Sequence, residues 1–213
     1  MIDSAGLRDM FAVVAKAMEE RKEWLCELDG VIGDADHGIA MALGFNAARD
    51  AVSALDLAAA DPTLVLNTAA KSFLNTVGAS SGPLYATALM RAAAAVKGKN
   101  DVDDNDAVAL IAAMAKGIQD RGKAEIGEKT MVDAWLPAAQ AASEARAQGK
   151  SLVESLDAAV EAARRGAEAT RDMIASKGRS SRLGERSLGH VDPGAVSAVI
   201  VIEAIRESFG RTT

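Results

Sequence analysis

The stretch Leu28-Asp29-Gly30-Val31-Ile32-Gly33-Asp34-Ala35-Asp36-His37-Gly38 places three carboxylates, one imidazole and three glycines within eleven residues. Glycine opens backbone shapes closed to other residues, so the chain can turn sharply here. Asp34 and Asp36 alternate, and in extended chain alternate side chains share a face. Asp29 joins them if residues 30–33 bend back. Three converging carboxylates repel one another unless a cation neutralises them. Hard oxygen donors suit Mg²⁺ or Ca²⁺, and Mg²⁺ commonly shares its shell with water and phosphate. The same residues also suit an ordinary turn, because Asp side chains bond local backbone. His37, just past the loop, fits capping or packing as well as binding.

Outward from this stretch the chain reads as helix after helix. Leu7, Phe11, Val14, Met18 and Leu25 form one apolar stripe and predict a first helix over 4–28. A second begins near His37 and carries Met41, Leu43, Phe45, Ala48 and Val52. Asp61-Pro62, a cap followed by a first-turn proline, starts a third over 63–76. Pro83 starts a fourth, through Leu84, Ala88, Leu89, Ala92 and Val96. The acidic cluster 103–106 opens a fifth, with Leu110, Ile111, Met114 and Ile118, and its charges suit the helix dipole. A sixth runs from about residue 130 to 147, with Pro137 either in its first turns or kinking it. Ser151 and Glu154 form a capping box for a seventh, through Leu156, Val160 and Ala163 to Met173. Asp192-Pro193 repeats the cap-plus-proline start for an eighth, with Val196, Val199, Ile200, Ile202, Ile205 and Phe209. No useful alternating strand pattern is present. The expectation is an all-α single domain over 1–213, with eight antiparallel up-and-down helices.

That alternation carries information of its own. In an up-and-down bundle, every second connection lies at the same end. The acidic loop, residues 78–83, residues 120–130 and residues 176–192 are all glycine-bearing and polar, and all would share one rim. The remaining connections have ordinary turn composition and would share the other.

Composition narrows the function. Of 213 residues, 49% are hydrophobic but only 3% aromatic, so the core is built from Ala, Leu, Val, Ile and Met. Charged residues make up 25%, the composition of a folded chain rather than a disordered one. The net charge of −6 argues against nucleic-acid binding, which calls for a basic face. An acidic protein that handles phosphate needs metal ions or local donors. Cys26 is the only cysteine, which precludes an internal disulfide and fits a reducing compartment. The opening Met1-Ile2-Asp3-Ser4, soon followed by Arg8 and Asp9, does not read as a signal peptide. Residues 72–90 are uncharged but are interrupted by Asn75, Gly78, Gly82 and Pro83, so they are no membrane span. A cytoplasmic protein that engages neither nucleic acid nor membrane is expected.

The rim loops specify what the acidic loop would meet. Backbone N–H groups at a helix start near residues 78–83 suit phosphate, and Ser80 and Ser81 add donors, although a Ser-capped turn reads equally well. Arg179, between a glycine and a serine, can fork onto phosphate oxygens or sit as a solvated charge. Asp192-Pro193-Gly194 is a helix cap that becomes a ligand wall if the rim holds something. His190 suits capping, packing or titration. Met131 and Trp135 read as core or as flanks of an adenine ring. Together these parts describe a metal–phosphate site without a Walker-type loop or a kinase glycine-rich loop.

Residues 33–38, 78–85, 127–133 and 189–195 (GDADHG, GASSGPLY, GEKTMVD and GHVDPGA) together resemble the nucleotide-binding L subunit of dihydroxyacetone kinase, in the same order and over essentially the whole chain. The resemblance implies a closed barrel of eight helices with ADP or ATP on its rim. By the same resemblance, Asp29, Asp34 and Asp36 hold two Mg²⁺ ions. His37, Gly38, Ile39, Ala40, Ser80, Ser81 and Arg179 contact phosphate, and Arg179 is the catalytic group. Gly122, Met131, Asp192, Pro193 and Gly194 surround the nucleoside. It also implies a ketose bound covalently to a histidine of a separate K subunit. The two histidines of this chain, His37 and His190, both lie in nucleotide-side motifs. In one form of the family K and L are fused and ATP is the donor; in the other a phosphotransferase-system M subunit rephosphorylates ADP held on L. A chain of this length points to the second form, with a two-chain ATP-dependent kinase for a related ketose such as erythrulose as the alternative. A nucleotide-dependent module that docks a regulator is a rival of another class. Arg182 stands where family members carry an aromatic residue.

Overall fold

A computed structural model describes residues 1–78 and 80–210. Among these residues are nine α-helices: α1 (Ser4–Glu20), α2 (Lys22–Ile32), α3 (His37–Ser53), α4 (Pro62–Thr76), α5 (Ser81–Ala95), α6 (Asp104–Gly122), α7 (Val132–Ala147), α8 (Leu152–Ala169) and α9 (Pro193–Gly210). Short 3₁₀ segments lie at Thr170–Asp172 and within Arg179–Ser187. The all-α, single-domain expectation holds.

The helix count differs in one place. The first predicted helix is two, broken at Arg21, and the second piece runs on through Asp29 to Ile32. Residues 19–23 are consecutively charged, so no apolar side chain anchors the register between Met18 and Leu25. Asp29 therefore sits on a helical last turn rather than in the loop. The helix expected to reach Met173 stops at Ala169 and tightens into the 3₁₀ turn. Leu43 is exposed rather than core.

Local chemistry accounts for most boundaries. The side chains of Asp3, Asp61, Asp103 and Ser151 accept from backbone N–H groups in the first turns of α1, α4, α6 and α8. The pairs Asp103–Asp106 and Ser151–Glu154 close full capping boxes. Pro137 lies inside α7 and removes the amide that would bond the Asp133 carbonyl. Gly166 of α8 packs directly on that carbonyl, where a β-carbon would overlap the oxygen.

Helix α1 packs on α3, each later helix packs on the next, and α9 returns to α1. The buried interior is mostly small and aliphatic, with one aromatic group: Phe45 stands edge-on to Phe73 and Tyr85, and Tyr85 edge-on to Trp135. One pole is tied by backbone pairing of Ile2 with Val102 and by a hydrogen bond from Ser4 Oγ to the Ala60 carbonyl. The α2–α3, α4–α5, α6–α7 and α8–α9 connections meet at a common cavity, the single rim that alternation predicts.

Gly38 sets how close α3 comes to α2. A β-carbon there would overlap the Lys22 carbonyl oxygen and touch Cys26 Sγ. Gly38→Ala should cost about 1–3 kcal/mol, the range for overpacking a tight contact. Denaturant unfolding measures it, and a change below about 0.5 kcal/mol, ordinary for a surface site, would show that the two helices are not held by this contact.

Candidate functional site

The cavity has a volume of about 480 Å³. The N-termini of α3, α5, α7 and α9 face it, through His37, Ser81, Val132 and Pro193. Each brings first-turn backbone N–H groups, some already held by local acceptors, and the positive end of a helix dipole. An otherwise acidic chain thus builds an anion-attracting hollow from helix N-termini together with the lining Arg121, Lys177 and Arg179.

Asp29, Asp34 and Asp36 each offer an oxygen, and these oxygens lie within 4.8 Å of one another. Asp29 is buried and oriented: its Oδ2 accepts from the backbone N–H of Asp36 at 3.0 Å and of His37 at 3.3 Å. The convergence of Asp34 with Asp36 does not come from extended alternation. Ala35 between them is left-handed, with φ 62°, so the loop is a tight turn. Arg179 Nη1 reaches across the cavity to Asp34 and, at 3.3 Å, to Asp36. Arg179 is half exposed but ion-paired across the cavity rather than free. Three hard oxygen donors with a buried, backbone-held member match what a small divalent cation needs.

The remaining expected residues divide. Ala40, Ser80, Ser81, Gly122, Met131, Asp192, Pro193 and Gly194 line the cavity together with His37. Ser80 makes no side-chain capping bond, so the plain capped-turn reading fails there. Gly38 and Ile39 do not line it: Gly38 faces α2 and Ile39 is exposed to solvent. Leu84, Ile118, Ala124, Met131 and Val132 form an apolar wall. Trp135 lies fully buried beneath, in the aromatic group, and not against the cavity. The Trp135 Nε1 and the Tyr85 hydroxyl have no hydrogen-bond partner among the described residues. Burial pushes Tyr85 up to about 12, partly offset by the nearby Trp135 and Ser197 side chains.

Two residues of the 127–133 motif shape the site in ways the sequence did not assign. Lys129 is 1% exposed and left-handed (φ 59°), and its ammonium donates to the carbonyls of Thr170 and His190. It ties the end of α8 to the loop before α9, and desolvation holds its pKa below the usual lysine range. His190 contributes that carbonyl while the residue itself is exposed. Asp133, also buried, accepts from the N–H groups of Gly127 and Thr130 at 2.6 and 2.7 Å and closes the loop onto α7. The only signal in sequence was a Thr-x-x-Asp spacing at a helix start. Arg121 and Lys177 also line the cavity, and exposed Arg182 does not.

Asp192 caps α9, accepting from the Ala195 N–H at 2.7 Å. The residue keeps some accessible surface, but its carboxyl is enclosed. Burial raises its pKa to about 7, with the Asp133 and Asp29 charges adding and Lys129 opposing. A carboxyl whose folded pKa lies above its unfolded value binds its proton more tightly when folded. Between about pH 4 and pH 7 the folded state of the ligand-free protein therefore holds more protons, and stability falls as pH rises. Asp192→Asn keeps an acceptor and removes the titration. Melting curves across this range should show the wild type losing ground to the variant with rising pH; parallel curves would mean that Asp192 titrates normally.

Comparison with known proteins identifies the family. Residues 31–207 match the DAK2 domain family. The chain is 36% identical over 209 residues to the "PEP-dependent dihydroxyacetone kinase 2, ADP-binding subunit DhaL" of Listeria innocua, covering 98% of this chain and 96% of the relative. It is 38% identical over 183 residues to the corresponding subunit of Escherichia coli, covering 86% of each. An L-erythrulose 1-kinase of Mycolicibacterium smegmatis is 37% identical over 88% of this chain and 32% of its own length. Among solved structures, the dihydroxyacetone kinase of C. freundii in complex with AMP-PNP and Mg²⁺ superimposes with a TM-score of 0.69 at 25% identity, over 94% of this chain and 33% of that one. This chain thus spans about a third of the C. freundii enzyme and nearly all of the free-standing bacterial subunits. With a matching domain, matching length and matching fold, it belongs to the DAK2-domain family, among the ADP-binding DhaL subunits of dihydroxyacetone kinases.

Proposed function

We propose that this chain is the nucleotide-holding subunit of a ketose kinase. It would pass phosphate between an ADP/ATP couple on its own rim and a ketose, dihydroxyacetone or a close relative, held by a separate K subunit. A phosphotransferase-system M subunit would restore the nucleotide. The observation that carries this reading is the meeting of Asp29, Asp34, Asp36 and Arg179 with four helix N-termini in one cavity.

Asp29, Asp34 and Asp36 would hold two Mg²⁺ ions. When bound, these would neutralise and spread phosphate charge. The N-terminal turns of α3 and α5, with Ser80 and Ser81, would hold phosphate oxygens. Leu84, Ile118 and Met131 would pack the base, and the 192–194 turn the sugar side of the nucleoside. With the carboxylates engaged by cations, Arg179 would be released to fork onto the transferring group.

Near-complete coverage of the free-standing bacterial subunits supports the phosphotransferase-system form over the two-chain ATP-dependent alternative. The erythrulose kinase among the relatives supports testing that ketose beside dihydroxyacetone. Purified chain with ATP, Mg²⁺ and either ketose should give no product; adding a K subunit and a phosphoryl donor should start turnover. Turnover by the chain alone would defeat the reading. Tight ADP binding without transfer under any donor would favour the regulator-docking module.

Positioned cations act mainly on the transition state. Arg179→Ala should keep its ADP and lose about 10²-fold or more in transfer rate. Arg179→Lys should recover only part, because an ammonium keeps the charge without the fork. ADP content of the purified variants and transfer rates with K subunit present measure the two effects separately. Lost ADP with an intact rate at saturating nucleotide would make Arg179 a resting-state clamp.

A further inference from the structure

Beneath the cavity floor, Ser197 of α9 is fully buried. Its hydroxyl lies 2.9 Å from the Gly194 carbonyl oxygen and 2.8 Å from His37 Nε2. A carbonyl oxygen can only accept, and a serine hydroxyl has one proton to give. With that proton on the Gly194 bond, the hydroxyl accepts toward His37, and the Tyr85 side chain also lies near it. Nε2 therefore carries hydrogen, and in the neutral ring Nδ1 carries the lone pair.

This changes what the His37 ring can do. With its one N–H committed to Ser197, the neutral imidazole has none left for a phosphate oxygen. What it does instead is structural, and it reaches across the site. His37 is the first residue of α3, and its backbone N–H is already held by Asp29 Oδ2. Gly194 is the second residue of α9 and belongs to the turn capped by Asp192. One hydroxyl thus joins the carboxylate side of the cavity to the 192–194 side.

We propose that Ser197 is a positioning residue: by accepting from His37 Nε2 and donating to the Gly194 carbonyl, it locks the ring as the Nε2–H tautomer and braces the first turn of α3 against the first turn of α9. What the brace positions rests on the nucleotide reading above. The tautomer does not.

Two experiments test it. With only two histidines in the chain, ¹⁵N imidazole spectra can be assigned by comparison with His190→Gln. At a pH where the ring is neutral, wild-type His37 should show a protonated Nε2 and a bare Nδ1, and Ser197→Ala should lose this preference. A protonated Nδ1 in the wild type, or an unchanged spectrum in Ser197→Ala, would overturn the lock. The second experiment is a cycle of Ser197→Ala, His37→Ala and the double variant, read by ADP–Mg²⁺ calorimetry and by unfolding. Each single change should weaken ADP binding about tenfold, the scale of one buried hydrogen bond whose partner is left unpaired. The double variant should be little worse than the worse single one, since both remove the same link. Additive losses would mean that the two residues act separately and would overturn the brace. If the wild type binds no ADP, the functional reading fails, while the spectra and the unfolding cycle still decide the brace.

Discussion

Mutual repulsion among three carboxylates is the constraint around which this end of the molecule is arranged. Asp29, Asp34 and Asp36 bring their oxygens within 4.8 Å, and one of them is buried. Part of the answer is built into the chain. Two backbone N–H groups hold Asp29, Arg179 spans the other two carboxylates, and four helix N-termini each add roughly half a positive charge at the cavity. By formal side-chain charge alone, one guanidinium leaves two of the three carboxylates unmatched, because helix ends soften the repulsion without carrying a counter-ion. One divalent cation matches them. On the proposed reading, a second would sit beside a ligand that brings its own negative charge, such as a nucleotide polyphosphate, and metal and nucleotide would each favour the other's binding.

Such a site has to be held in register by something far from it. The helices bearing the rim come together through very small residues. Gly38 admits the Lys22 carbonyl, and Gly166 admits the Asp133 carbonyl that Pro137 frees. These contacts set helix separations that no side chain could reproduce. They also connect to the site directly, since Gly38 follows His37 and Asp133 closes the loop that carries Lys129 and Met131. An interior rich in alanine makes these close crossings possible, and four of its large side chains, Phe45, Phe73, Tyr85 and Trp135, gather in one aromatic group.

Much of this could be read from the chain because it is local. Cap residues such as Asp61, Asp103 and Ser151 mark helix starts through bonds no longer than one turn, and each forms as its spacing requires. Helix alternation then places four loops at one pole, where they are found. What could not be read depends on contacts between distant segments. The break at Arg21 follows from a missing apolar anchor between Met18 and Leu25, which a stripe that is otherwise regular conceals. Ala35 adopts a left-handed turn that alternation of Asp34 and Asp36 does not suggest. Lys129 looks like a surface residue in its motif, and only the carbonyls of Thr170 and His190, brought in by the fold, make its burial sustainable. Gly38 and Ile39 follow His37 in sequence but turn away from the cavity, because a helix directs successive side chains about 100° apart.

The rim also gathers features that a chain selected for stability alone would avoid. Ala35 in left-handed geometry costs about 1–2 kcal/mol. Asp192 is enclosed beside Asp133 and Asp29, and its proton affinity rises accordingly. Lys129 gives up solvation to bridge two carbonyls. Among the described residues, the opposite pole, held by the Ile2–Val102 pairing and ordinary caps, gathers no comparable set. Local strain and unfavourable charge persist where the surroundings over-determine them and where function rewards them. Here the reward has a definite form. A ligand that binds only the folded chain stabilises it by mass action, and cations among the carboxylates would relieve the repulsion that the empty arrangement leaves in place. On the proposed reading, the strained pole is the one that ligand binding completes, and nucleotide and metal would be part of what holds this end of the fold together.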